Sequence, residues 1–178
     1  MKKQFLLLLA GALTLMLYVP AGQAGTEPIA VNFAGSNYDT AVDNLDDGLP
    51  LSLSYTQAKG SFGAKQLDIS AEFYPSDVDC QTGYSIEVGM LYSASVTTFA
   101  DHSQIFGFSD SGWMCVHPTT GHYYGEVYGV YGGGTGRFEG ASGEWVTTFE
   151  GYNLEPPGLE PVGFRTIVGT VNGTIALP

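Results

Sequence analysis

Positive charge is nearly missing from this chain. Lysine and arginine together number 6 in 178 residues, against 18 aspartates and glutamates. Two of the six, Lys2 and Lys3, lie at the extreme N-terminus. After residue 24 there remain Lys59, Lys65, Arg137 and Arg165 against 18 acids, a net charge of −14. Such a surface repels phosphate backbones, which excludes nucleic acid as a partner and disfavours anionic membranes. Charged residues of both signs make up 13% of the chain, half the usual ~25%. Long apolar runs are also scarce. The single run, residues 5–19, falls short of the ~20 residues a helix needs to cross a bilayer, so no stable membrane anchor is expected. Helical periodicity is absent elsewhere, and no catalytic motif stands out.

That apolar run follows Lys2 and Lys3, is broken by Pro20, and ends in Gly22-Gln23-Ala24, with small residues at the −3 and −1 positions of a cleavage site. Residues 1–24 therefore read as a bacterial signal peptide, and residues 25–178 as one domain, exported to the periplasm or the medium. No cysteine lies in or just after the segment, so a lipoprotein anchor is excluded. Cys80 and Cys115 are the only cysteines, and an oxidising compartment favours bridging them. Two free thiols are the alternative. A metal site at Cys115-Val116-His117 lacks a second cysteine at ligand spacing.

Glycine and aromatics are abundant: 25 Gly, about twice the ~7% average, with 11 Tyr, 10 Phe and 2 Trp. From Leu51 onward the apolar period is two, which predicts strands. In residues 66–73, Leu67, Ile69, Ala71 and Phe73 share a face. In residues 84–98, Tyr84, Ile86, Val88, Met90, Tyr92, Ala94 and Val96 alternate with small or polar residues, as one long strand or two with a bend. Further strands are expected at 104–108, 113–117, 122–132, 144–151 and 164–177. Residues 25–50 are weakly patterned, and Glu155-Pro156-Pro157-Gly158 marks a loop. Residues 43–48, Asp-Asn-Leu-Asp-Asp-Gly, have the composition of a calcium loop, but Leu45 stands where an oxygen ligand is required. They read as a solvated acidic loop.

Gly121, Gly125 and Gly129 fall four apart, as do Gly169 and Gly173, so each set shares one strand face. Repeated same-face glycine marks sharp strand curvature or close packing of a neighbour. The expected fold is thus all-β, a small closed antiparallel barrel, with a β-sandwich as the alternative.

Residues 132–143 read GGGTGRFEGASG. The spacing misses G-x-G-x-x-G by one residue, no Walker lysine follows, and Ser142 precedes Gly143 directly, which rules out a nucleophile elbow. The segment reads as a tight connection between strands, with Phe138 and Ala141 tucked inward. Gly133, Gly134, Gly136, Phe138, Glu139, Gly140, Ala141 and Gly143 together resemble the shared motif of allene oxide cyclases and dirigent proteins, and most of all exported bacterial members of that barrel-like superfamily. The resemblance extends to the segment from Cys115 to Gly121 and the final strand, and covers roughly residues 80–177. It implies a small eight-stranded, calycin-like or dirigent-like barrel, often with an apolar cavity. The plant enzymes' catalytic residues find no counterpart here, so activity does not transfer.

Candidate cavity-lining residues are Tyr84, Tyr92, Tyr124, Glu126 and Tyr128. Glu126 shares a strand face with His122, Tyr124 and Tyr128. Were that face inside, a buried acid could move a proton; otherwise it meets water, with Gly125, Val127 and Tyr131 inside. Arg137 is expected to pair, if at all, with Glu139 or Glu144. His102, His117 and His122 are not spaced as metal ligands, Trp113 and Trp145 read as core anchors, and no metal or cofactor is implied. Three functions are compatible with this: a barrel binding a small apolar or aromatic molecule or serving as an interaction module; a cofactor-free cyclase or isomerase; and a carbohydrate-binding module. A carboxylate inside the lumen would favour the enzyme, and an apolar lumen the binding protein.

Overall fold

A computed structural model describes residues 25–40, 51–154 and 164–178. The expected signal segment, the acidic run 43–48 and the loop 155–158 lie outside the described residues. Eight strands form one closed up-and-down barrel: β1 (Thr26–Asp39), β2 (Leu51–Gly60), β3 (Ala64–Pro75), β4 (Ile86–Phe99), β5 (Gln104–Val116), β6 (His122–Thr135), β7 (Ser142–Asn153) and β8 (Phe164–Ala176). Each pairs antiparallel with the next. β8 closes on β1 from Thr26–Ala176 to Tyr38–Phe164, so no sheet edge is left open. Closure decides against the sandwich.

The strand period of two is present throughout, but two features redistribute it. In β3–β4, Glu72 pairs with Tyr92 and Phe73 with Met90, so Leu91 is bulged out of the ladder. A bulge shifts every later side chain to the opposite face. Met90 points into the barrel, and beyond the bulge Ser93, Ser95 and Thr97 do so in place of Tyr92, Ala94 and Val96. The alternation at residues 84–98 is therefore real, yet its apolar face changes sides at Leu91. Second, the segments expected at 104–108 and 113–117 are one strand, β5, with irregularities on its β6 side at Ile105/Gly107 and Phe108/Ser111. The weakly patterned N-terminal stretch contains the 14-residue strand β1.

The glycine columns make room for rings. Inward glycines on one strand sit beside inward aromatics on the next: Gly125 beside Phe149, Gly129 beside Trp145, Gly169 beside both Phe149 and Phe33. A Cβ at Gly129 would stand 2.3 Å from Trp145 Cζ2 and 2.5 Å from the Phe108 carbonyl oxygen. Gly129→Ala is accordingly expected to lower stability by about 2–3 kcal/mol through overpacking. A urea midpoint equal to that of the parent protein would show that this column is not needed for ring packing.

The barrel end that carries the short connections is filled. Phe62, Phe99 and Phe138 stack there, with ring centroids 4.5 Å apart for Phe99 and Phe138 and 5.6 Å for Phe62 and Phe138. Phe138 is fully buried and Ala141 nearly so. The connection 136–141 begins with Gly136 at φ +62°, where a side chain would also meet Ser103 Oγ. Arg137 lies 4.8–5.6 Å from the centroids of those three rings. It donates to the Phe62 carbonyl at 2.6 Å and pairs with Asp101 at 3.2 Å. Its partner is thus on the β4–β5 turn rather than Glu139 or Glu144, because the guanidinium folds back across the end of the barrel.

Candidate functional site

With one end plugged, the interior continues toward the other end, which carries the connections 76–85 and 117–121. The lumen holds a cavity of about 60 Å³. That is enough for a few waters but less than half of the ~150 Å³ of an apolar cavity that binds benzene, so a ring enters only as the lining adjusts or as it extends into the mouth.

Its walls differ. β6, β7, β8 and β1 contribute Tyr123, Val127, Tyr131, Trp145, Phe149 and Phe33, among others, and β3 adds Leu67, Ile69, Ala71 and Phe73. β2 and β4 contribute hydroxyls: Ser52, Ser54, Ser93, Ser95 and Thr97. Thr56, deeper on β2, donates to the Leu67 carbonyl. In β2 the alternation is inverted, since Leu51, Leu53 and Tyr55 face outward and the small hydroxyl residues inward. A narrow barrel cannot hold large side chains from every strand, so the bulky rings of one wall require small residues on the other.

The titratable side chains lining this cavity are Tyr123, Tyr131 and Arg165. Burial pushes the Tyr123 hydroxyl up to about 12, partly opposed by Arg165, and raises that of Tyr131 as well. Both phenols stay protonated at neutral pH, and Tyr123 donates to the Thr166 carbonyl at 2.6 Å. A tyrosine whose folded pKa exceeds its unfolded value of about 10 contributes stability below pH 10 and loses it as pH rises toward 12. Stability is therefore expected to be level up to about pH 10 and to fall above it, with late-ionising tyrosines visible in absorbance at 295 nm. Ionisation of all tyrosines near pH 10 without unfolding would contradict this.

At the opposite end, Arg165 grips Asp39 through two parallel hydrogen bonds of 2.8 and 2.5 Å, and its Nε donates to Asn153 Oδ1 at 2.9 Å. Ser52, Phe73, Met114 and Arg165 line both the lumen and a recess just outside it, so the ion pair stands at the mouth.

Two buried polar atoms in the lumen walls have no hydrogen-bond partner, Asn37 Oδ1 and Trp145 Nε1. Such groups cost about 1–3 kcal/mol each when left unpaired, so their presence in a cavity wall needs an explanation.

None of the five residues expected to line the cavity does so. Tyr124, Glu126 and Tyr128 lie on the outer face of β6, because Tyr123, Val127 and Tyr131 occupy the inner one. Tyr92 is turned outward by the Leu91 bulge, and its hydroxyl donates to the fully buried Glu72 at 3.1 Å. Tyr84 precedes β4 and belongs to an outer cluster. Its hydroxyl is 2.8 Å from His122 Nδ1, its ring stands edge-on to Tyr124 at 4.8 Å, and His122 approaches Glu150 at 3.6 Å. The Cys80–Cys115 disulfide pins the 76–85 connection beside this cluster, with Gln81 N donating to Tyr124 at 2.9 Å. Trp113, Tyr124, Glu126 and Glu150 line a shallow outer groove, so Trp113 is half-buried on the surface while Trp145 is in the core. His117 is turned to its own loop, its Nδ1 accepting from Thr119 N and Thr120 N. Among the described residues, no group of His, Cys, Asp and Glu is arranged to hold a metal ion.

Comparison with family models, with curated proteins and with solved structures found no match.

Proposed function

We propose that the protein is an exported binding protein of the allene oxide cyclase and dirigent barrel-like superfamily, whose lumen takes a small apolar or aromatic molecule. The observation that carries this reading is the lumen itself: plugged at the Phe138 end, bordered among the described residues by the Arg165–Asp39 pair at the other, and walled by aromatic and aliphatic side chains. The motif at residues 132–143 supports the superfamily, and the disulfide is compatible with an oxidising compartment.

The lining supports binding over the cyclase alternative. A cyclase of this kind needs a group that gives or takes a proton near neutral pH. The lumen offers two protonated phenols and an arginine engaged by Asp39, while Glu126 stands on the outer face. Native mass spectrometry of protein recovered without denaturation should show a co-purified small molecule that leaves on unfolding. Protein that is mass-pure, and whose lumen signals do not respond to any small aromatic, would overturn the reading.

A further inference from the structure

The aromatic lumen has one polar corner. Trp145 is 6% exposed and its ring lines the cavity, yet its Nε1–H has no acceptor. An indole N–H can only donate, so its need is specific. Across from it on β4, Ser95 also lines the cavity, with a hydroxyl free to rotate as donor or acceptor. Gly107 of β5 lies between them. A Cβ there would stand 2.4 Å from Ser95 Oγ and 3.1 Å from Trp145 Nε1. Gly107 is not among the glycines with positive φ, so the backbone does not demand glycine at this position. The absence of a side chain there lets the Ser95 hydroxyl and the indole N–H approach the same point of the wall.

We propose that Trp145 Nε1 and Ser95 Oγ, brought together over Gly107, form a polar subsite that takes the acceptor oxygen of a neutral aromatic ketone or ether. This rests on the lumen being the binding site. A carbonyl oxygen has two lone pairs, and two donors converge here, one indole N–H and one hydroxyl. The molecule is neutral because Arg165 is the charged side chain of the lining, and its guanidinium is already engaged by Asp39 and Asn153 at the mouth. A carboxylate placed at the Trp145 corner would have no counter-charge.

The test compares acetophenone with ethylbenzene, two probes of similar size that differ in the carbonyl. Binding is followed in ¹H–¹⁵N correlation spectra of the labelled protein through its two indole N–H signals, assigned with Trp113→Phe. Acetophenone is expected to move the Trp145 signal to lower field and to bind about tenfold more tightly than ethylbenzene, the worth of one net hydrogen bond. Ser95→Ala and Trp145→Phe should each bring the ratio of the two affinities, measured in the same variant, from about ten to about one. The indole shift in the parent protein decides the matter even if Trp145→Phe does not fold. Equal affinities with an unmoved Trp145 signal overturn the subsite and leave the lumen as binding site. Binding of neither probe overturns both.

Discussion

Phe138→Ala is expected to lower stability by about 3–5 kcal/mol, the range for deleting a buried aromatic ring. For a domain of this size that is a fall in melting temperature of roughly 6–20 °C. Phe138 has no exposed surface, contacts the rings of Phe62 and Phe99, and lies under the Arg137 guanidinium. Its removal leaves the plugged end of the barrel hollow, and partial collapse there cannot restore the three-ring packing. The measurement is thermal unfolding beside acetophenone binding. A melting temperature that stays put while binding is lost would assign the 132–143 segment to a ligand site instead of to the closure of the barrel.

Removing the disulfide carries the second large effect. Cys80→Ala/Cys115→Ala opens a loop with a sequence separation of 35, for which chain entropy gives about 3–4 kcal/mol. Cys115 is fully buried on β5, and Cys80 sits in the connection that holds Tyr84 against His122 and Tyr124. Besides a lower denaturant midpoint, the Tyr84 ring should lose its edge-on contacts and the 76–85 segment should exchange its amide hydrogens faster. Thiol labelling of the unreduced protein gives an independent check: two reactive cysteines, or a double variant with the parent midpoint, would remove the basis for this expectation.

The positions of the candidate site were legible only in part, and the reasons are specific. Alternation in β6 divides it into two faces, His122, Tyr124, Glu126 and Tyr128 against Tyr123, Gly125, Val127 and Tyr131. Both faces hold tyrosines, so hydropathy does not choose between them. The glycine column at 125 and 129 was the available signal, since a face that gives up its side chains is one that another strand's rings occupy. In β2 hydropathy points the wrong way, with Leu51, Leu53 and Tyr55 outside and Ser52, Ser54 and Thr56 inside. The Arg165–Asp39 pair at the mouth spans 126 positions of sequence, and nothing local marks either residue.

By itself the sequence determined the class of this protein: strands from the period of two, the cysteine pair from its being the only pair, and the turn at 132–143 from its glycines. These are local properties, set by backbone preference and composition. Which face of each strand became the lumen was decided only by the closed barrel. The interior is too narrow for eight bulky faces, so rings on β6, β7 and β1 displace large residues from β2 and β4, and one bulge at Leu91 reverses the remainder of its strand.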